Sequence, residues 1–345
     1  MKKLLLICFL LTIFFVITIG ANADKYMWNA GTTQEGSTAF VASGILSECI
    51  NTYAGKDMFM TPIAYTKSLV GLKGFDQKEV VSMYASAQQF EQLINKEGPF
   101  SPETYKWSAP YMQLMWAYDQ DHFFLIRRED AGKIKSYSDL ANKSVFPQMR
   151  GTGTYELYQI MLGPSGLNIW DKIVEKTFET AHAGDALKLK QVDVIAAYSG
   201  GGEIVGYAQE ALARNDLVIL TPTPEEMEKI VKVCGFLYPS TVNAEEHFGQ
   251  DIGLTKTITI PAWSNIYIVD PDVPEEIVYQ VVKTAFEHAT EMAKSAAVWG
   301  KFAEDPWEYN LPFLLKYKKM GVPIHPGALR YFRELGHDTK LLGLE

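Results

Sequence analysis

The chain is 345 residues long, 47% apolar and acidic, with 41 Asp and Glu against 32 Lys and Arg. That length and apolar content exceed one compact core and predict two domains or lobes. The acidic balance, with no basic stripe, excludes nucleic acid as a partner, because nothing is present to release its counterions; a small anion stays open, since it feels only the local field of its site.

In chain order, Lys2 and Lys3 precede an uncharged apolar run, Leu4 to Ile19, and then Ala21-Asn22-Ala23 ahead of Asp24. This pattern predicts a secretory signal peptide over residues 1–23, cut after Ala23, and hence a periplasmic mature protein. An uncleaved anchor is the other reading, but the run is short of the ~20 residues that span a bilayer. Without residues 1–23 the chain keeps 30 basic residues against 41 acidic ones, a net charge of −11. Outside the cytoplasm neither ATP nor a nicotinamide cofactor is at hand, so no cofactor is expected.

Strand-like and helix-like segments then alternate, which predicts an α/β fold. Tyr26–Asn29 reads as a strand, followed by a Gly/Thr/Ser loop and a helix over about Ser37 to Thr52. Trp107, Tyr111, Trp116 and Tyr118 read as core packing, whereas Trp28 and Trp263, near strand ends, are candidates for a cleft wall. Phe123–Ile126, Val192–Tyr198 and Leu217–Leu220 read as strands, with a helix through about Leu212 between the last two. Thr221-Pro222-Thr223-Pro224 reads as a turn. Thr257–Ile260 and Ile266–Val269 read as two strands flanking Pro261. A long helix is predicted from about Pro274 through Met292, with Asp272 and Glu275 spaced as a capping box.

Three Gly-rich turns stand between a strand and a helix: Gly31 to Thr38, Arg150 to Thr154, and Tyr198 to Gly202. In α/β folds ligands bind at such turns, where glycine lets the backbone approach and free helix N–H groups favour an anion. Tight turns and N-caps alone would use the same residues; three such turns in one chain favour a shared site. Gly31-x-x-x-x-Gly36-Ser37-Thr38 has P-loop spacing, but Ser37 stands where the lysine belongs, which disfavours nucleotide hydrolysis. Glu35 in that loop either faces solvent or pairs with an ammonium group of the ligand. The candidate ligand-binding set is Thr32, Thr33, Gly36, Ser37, Thr38, Arg150, Thr152, Gly153, Thr154, Tyr198 and Ser199. Arg150 offers a guanidinium fork for a carboxylate.

Catalysis finds little support. No nucleophile elbow occurs, His182 and Asp185 lack an assignable nucleophile, and Glu245-Glu246-His247 reads as a solvated turn. No His or Cys spacing points to a metal. Cys49 and Cys234 fit either one disulfide or two buried thiols.

Together these features resemble the TAXI family, the TRAP-associated extracytoplasmic immunogenic proteins. The most specific stretch is Val322 to Gly336, with His325-Pro326-Gly327-Ala328 ahead of a Tyr-bearing helix. Ser138 to Val145 is similar to the D-L-x-G-K-x-V segment that opens the second lobe, with Asn142 in place of the glycine. Gly151 to Thr154 resembles G-S-G-T, Gln191 to Ala196 resembles the strand that follows, and Phe248 to Asp251 an aromatic-Gly-Gln turn. The first loop departs from the family pattern at Thr33, Gln34, Ser37 and Ala39, and Phe40 stands in for tyrosine.

The resemblance implies a two-lobed periplasmic binding protein fold, type II-like, with two crossovers and a ligand cleft between the lobes. Lobe one would hold residues 24–124 and 265–345, and lobe two 125–264. It further implies a solute-binding protein, not an enzyme, that captures a small, carboxylate-bearing organic acid or amino acid. Its partner would be a TRAP-type membrane permease. A secreted enzyme on the same fold and a sensory subunit for a membrane receptor are the alternatives.

Overall fold

The computed structural model describes residues 25–336 and Leu342, so the predicted signal peptide lies outside the described residues. The strands are β1 (Tyr26–Thr32), β2 (Met58–Ala64), β3 (Ser82–Ser86), β4 (Met112–Arg127), β5 (Ser144–Phe146), β6 (Val174–Glu175), β7 (Val194–Gly200), β8 (Glu203–Ile204), β9 (Leu217–Leu220), β10 (Tyr238–Asn243) and β11 (Thr257–Val269). They form one mixed sheet in the order β2-β1-β3-β11-β4-β7-β5-β6, with β10 on β11, β9 on β4 and β8 on β7.

Two lobes share this sheet. The first is built on the parallel strands β1, β2 and β3. Around them pack α1 (Thr38–Tyr53), α2 (Ser68–Asp76) and α3 (Ala87–Asn95). The second is built on β5, β7 and β9. Its helices are α4 (Gly153–Leu162), α5 (Ala183–Lys188), α6 (Gly206–Arg214), α7 (Pro224–Val233) and α8 (Ala244–Phe248). The chain then returns to the first lobe as α9 (Glu275–Glu287), α10 (Ala289–Ser295), α11 (Gly300–Glu304), α12 (Pro306–Lys319) and α13 (Pro326–Glu334).

β4 and β11 are the two crossovers. β4 pairs with β11 from Met112 to Asp121, and with β7 and β9 from Gln120 to Arg127. β11 pairs with β10 from Thr257 to Ala262, with β4 from Ala262 on and with β3 from Asn265 on. The two strands expected on either side of Pro261 are therefore one. Pro239 of β10 stands opposite Pro261, so neither is asked to donate to the other, and the ladder runs on.

Alternation along β4 divides the core. Phe123 and Leu125 face one apolar cluster with Ile195, Ala197 and α5, while Phe124 and Ile126 face another that runs on into the first lobe. Trp116 is fully buried in that larger cluster, with the rings of Phe313 and Tyr317 each 4.8 Å away. Burying one such side chain contributes about 1.5–3 kcal/mol. Residues 234–238 were expected in lobe two, yet they touch the first lobe. Lys316 Nζ donates to the Gly235 carbonyl at 2.8 Å, and the rings of Tyr238 and Phe313 lie 6.1 Å apart.

Several local expectations need correction. The long C-terminal helix breaks at His288 (φ −111°) into α9 and α10. Its N-cap is Pro274, without a side-chain bond, so Asp272 and Glu275 form no capping box. A capping box does form at Thr223 and Glu226, which makes the Thr-Pro turn the start of α7. Asn142 adopts φ +64°, a left-handed conformation that asparagine tolerates better than most residues, at the position where the D-L-x-G-K-x-V segment it resembles has glycine. Cys49 and Cys234 are both buried free thiols, and burial pushes each up to about 12.

Candidate functional site

A cavity of about 300 Å³ opens between the lobes. Its wall is made largely of helix starts. Ser37, Thr38 and Ala39 bring the N-terminus of α1; Lys67 and Ser68 bring that of α2; Ser86 and Gln89 bring that of α3. From the other lobe, Thr152, Gly153 and Thr154 bring the start of α4, and Val205, Gly206 and Tyr207 that of α6. The floor comes from the crossover strands, through Gln120 of β4 and Trp263 of β11.

The local sequence explains these starts. Ser37 Oγ accepts from the Phe40 N–H at 3.1 Å, and Thr152 Oγ1 accepts from the Tyr155 N–H at 3.2 Å. Each cap satisfies the third helical amide and leaves the first two without an intrahelical acceptor. α6 has no side-chain cap at all. Five positive helix ends around one cavity favour a negatively charged occupant. The charged lining residues are Lys67 and Glu35, both exposed at the mouth. Deeper in, Gln89, Gln120 and Gln148 supply amides, and Tyr84, Tyr198, Tyr207 and Trp263 supply aromatic faces.

Of the residues expected to bind ligand, Thr33, Gly36, Ser37, Thr38, Thr152, Gly153, Thr154 and Tyr198 line this cavity. Thr32, Arg150 and Ser199 do not. Thr32 is fully buried at the end of β1. Arg150 points away, and its Nε donates to Glu175 Oε1 at 2.9 Å on the exposed face. Ser199 is fully buried, and its Oγ donates to Asp121 Oδ2 at 3.0 Å.

The third Gly-rich turn has a different use from the one expected. A Cβ on Gly200 would lie 2.3 Å from Thr38 Cγ2, and one on Gly201 would lie 2.2 Å from the Ala297 carbonyl. Glycine there lets the end of β7 press against the first lobe. Of the two tryptophans expected in the cleft wall, Trp263 lines it, whereas Trp28 is fully buried and donates from Nε1 to Ser82 Oγ at 2.7 Å.

Lys67, Gln89, Gln120, Gln148, Tyr84 and Tyr207 also line the cavity and lie outside the expected set. The β2-to-α2 junction, Tyr65-Thr66-Lys67-Ser68, lacks the glycine that marks the three Gly-rich turns. Gln120 sits inside a long apolar strand and carries no local signal.

Beneath the floor lies a buried polar group. The Asp121 carboxylate receives Ser199 Oγ, and its Oδ2 lies 2.8 Å from His247 Nε2, so His247 is half-buried and partnered, not in a solvated turn. Serine and histidine meet the same carboxylate oxygen and not each other. The histidine therefore has no line to draw a proton from the hydroxyl, as nucleophilic catalysis requires. His122 is fully buried against Trp263, ring centroids 4.1 Å apart, and burial pushes it down to about 3.

A family model described as the NMT1-like family matches residues 31–336. Among solved structures, the chain is similar to the periplasmic aliphatic sulphonate binding protein SsuA from Escherichia coli, at 10% identity and a TM-score of 0.43, covering 93% of this chain and 82% of that one. It is similar to the ligand-binding component of an ABC-type import system from Staphylococcus aureus, at 6% identity and a TM-score of 0.44, covering 80% and 79%. It is also similar to the alkanesulfonate-binding protein SsuA from Xanthomonas axonopodis pv. citri, at 12% identity and a TM-score of 0.41, covering 82% and 84%.

Proposed function

Because the chain belongs to the NMT1-like family, we propose that it is a periplasmic solute-binding protein that captures a small carboxylate-bearing organic acid or amino acid and delivers it to a membrane permease. The observation that carries this reading is the cavity itself, walled by helix starts from both lobes and floored by the two strands that join them. An occupant touching both lobes binds the closed arrangement better than the open one, and that difference drives closure. Thr33, Gly36, Ser37 and Thr38 on one side, and Thr152, Gly153, Thr154 and Tyr198 on the other, are the contacts assigned to the solute.

The resemblance of residues 322–336 to the TAXI closing stretch favours a TRAP-type permease, driven by an ion gradient in place of ATP. The assignment is to capture and not to catalysis, since the serine beneath the floor has no base. Calorimetric titration against organic acids and amino acids is expected to find a micromolar or tighter binder, with a smaller radius of gyration on saturation. Absence of binding by any solute class would overturn the reading. Uptake into vesicles bearing its cognate permease should require a sodium or proton gradient; a requirement for ATP would replace the TRAP-type partner with an ATP-driven one.

A further inference from the structure

We propose that the solute is bound as an anion and that Lys67 is the residue that selects it, clasping the two lobes around it together with Gln120. This rests on the capture reading above. Lys67 opens α2 on the first lobe, and among the described residues no ion pair or hydrogen bond holds its ammonium. A Cβ on Gly151 would lie 3.1 Å from Lys67 Nζ, so the ammonium reaches the loop ahead of α4 on the other lobe. Gly151 holds φ +79°, a conformation that favours glycine, and any side chain there would crowd the ammonium.

A cation beside a helix N-terminus is repelled by it. With no acidic partner, the arrangement is relieved by an anion placed between Lys67 and the start of α4. Glu35, the other charged lining residue, is exposed on the first loop and makes no ion pair with Lys67.

Gln120 supplies the second observation. It is 7% exposed and lines the cavity floor. Trp263 Nε1 donates to its Oε1 at 3.1 Å. An indole N–H can only donate, so the amide carbonyl must face Trp263 and the amide NH2 must turn away from it. Among the described residues that NH2 has no acceptor. A cation at the mouth and an unused donor on the floor both call for a group that only accepts, such as a carboxylate or sulfonate. With the cleft empty, Lys67 and the α4 terminus push the lobes apart. An anion between them reverses the sign, so closure depends on the charge of the solute as well as its shape.

The test is calorimetric titration combined with small-angle scattering on the mature protein. The probes are succinate against succinamide, methanesulfonate against methanesulfonamide, the common α-amino acids and neutral sugars. The expected result is that an anion-bearing probe binds and compacts the wild type while its amide counterpart does neither. Lys67→Met should weaken that probe about 10- to 100-fold and leave the ligand-free melting temperature unchanged, since the side chain is exposed. Gln120→Glu, nearly isosteric, should weaken it at least as much. Equal binding by anion and amide, or an unaffected Lys67→Met, would overturn the clasp and leave capture standing; binding of a sugar alone would overturn the clasp and the carboxylate-bearing solute together, leaving only solute capture. No binding by any probe would overturn both.

Discussion

At the level of single residues, the charge that matters for binding is not the one most visible in the sequence. Arg150 beside Gly-Thr-Gly-Thr looks like a carboxylate fork, but Glu175 already occupies its Nε and the pair is exposed. Arg150→Ala is therefore expected to leave solute affinity within about twofold, because surface pairs of this kind contribute little; the same titration that tests Lys67 measures it.

Two buried groups in β4 set opposite pH trends. Burial, with the nearby Asp121 charge adding, pushes Asp119 up from 3.8 to about 6. A raised carboxyl holds its proton longer in the folded state, so this contribution is present below pH 3.8 and lost as pH rises through 6. His122 is pushed down from 6.5 to about 3 by burial. The unfolded chain takes up the proton first, so this contribution is present above pH 6.5 and falls away towards pH 3, by about 3–5 kcal/mol in total. Both ring nitrogens of His122 lack partners among the described residues. His122→Phe should therefore keep the fold at pH 7 and flatten the acid limb of a urea-unfolding series between pH 6.5 and 3. An unchanged acid limb would show that other groups dominate it.

Among the elements, the first lobe could be read from sequence only in part: β1, α1 and the run that becomes α9 and α10 were expected, whereas β2, α2, β3, α3 and α12 were not. Pro261 hid the length of β11, because a proline inside a strand ordinarily argues for a break; only the pairing with Pro239 shows why none occurs. The His-Pro-Gly-Ala stretch also gains a physical account. His325 Nδ1 accepts from the Gly327 N–H at 3.1 Å, and its Nε2 lies 3.1 Å from the Val273 carbonyl, so the imidazole caps α13 while tying it to the start of α9. A Cβ on Gly327 would lie 2.3 Å from the Glu275 carbonyl and 2.6 Å from the Tyr279 nitrogen. Gly327→Ala pushes backbone against backbone and is expected to cost about 1–3 kcal/mol in urea unfolding. A neutral result would mean that α13 can slide on α9.

For the whole molecule, the site was half legible. The two glycine-bearing turns that line the cavity announce themselves, because close backbone approach needs glycine and leaves a mark in sequence. Lys67, Gln120 and Tyr84 come together only through the pairing of distant strands, which no local pattern encodes. The two thiols make a separate test of the packing. Cys49 and Cys234 are buried and stay protonated, so neither should react with a thiol reagent in the native protein, and both should react in denaturant. Rapid native labelling of either would contradict the burial described for it.

The position of β11 within the sheet also governs how the polypeptide can be assembled. Among the described residues it is the last strand to be synthesised, yet it is wedged between β3 and β4, both made well over a hundred residues earlier. Until residue 269 is available, the two older strands have no neighbour to join them, and the sheet stays in two pieces. Pairings of such long sequence separation form slowly. The join between the two lobes is therefore the last part of the sheet that can close.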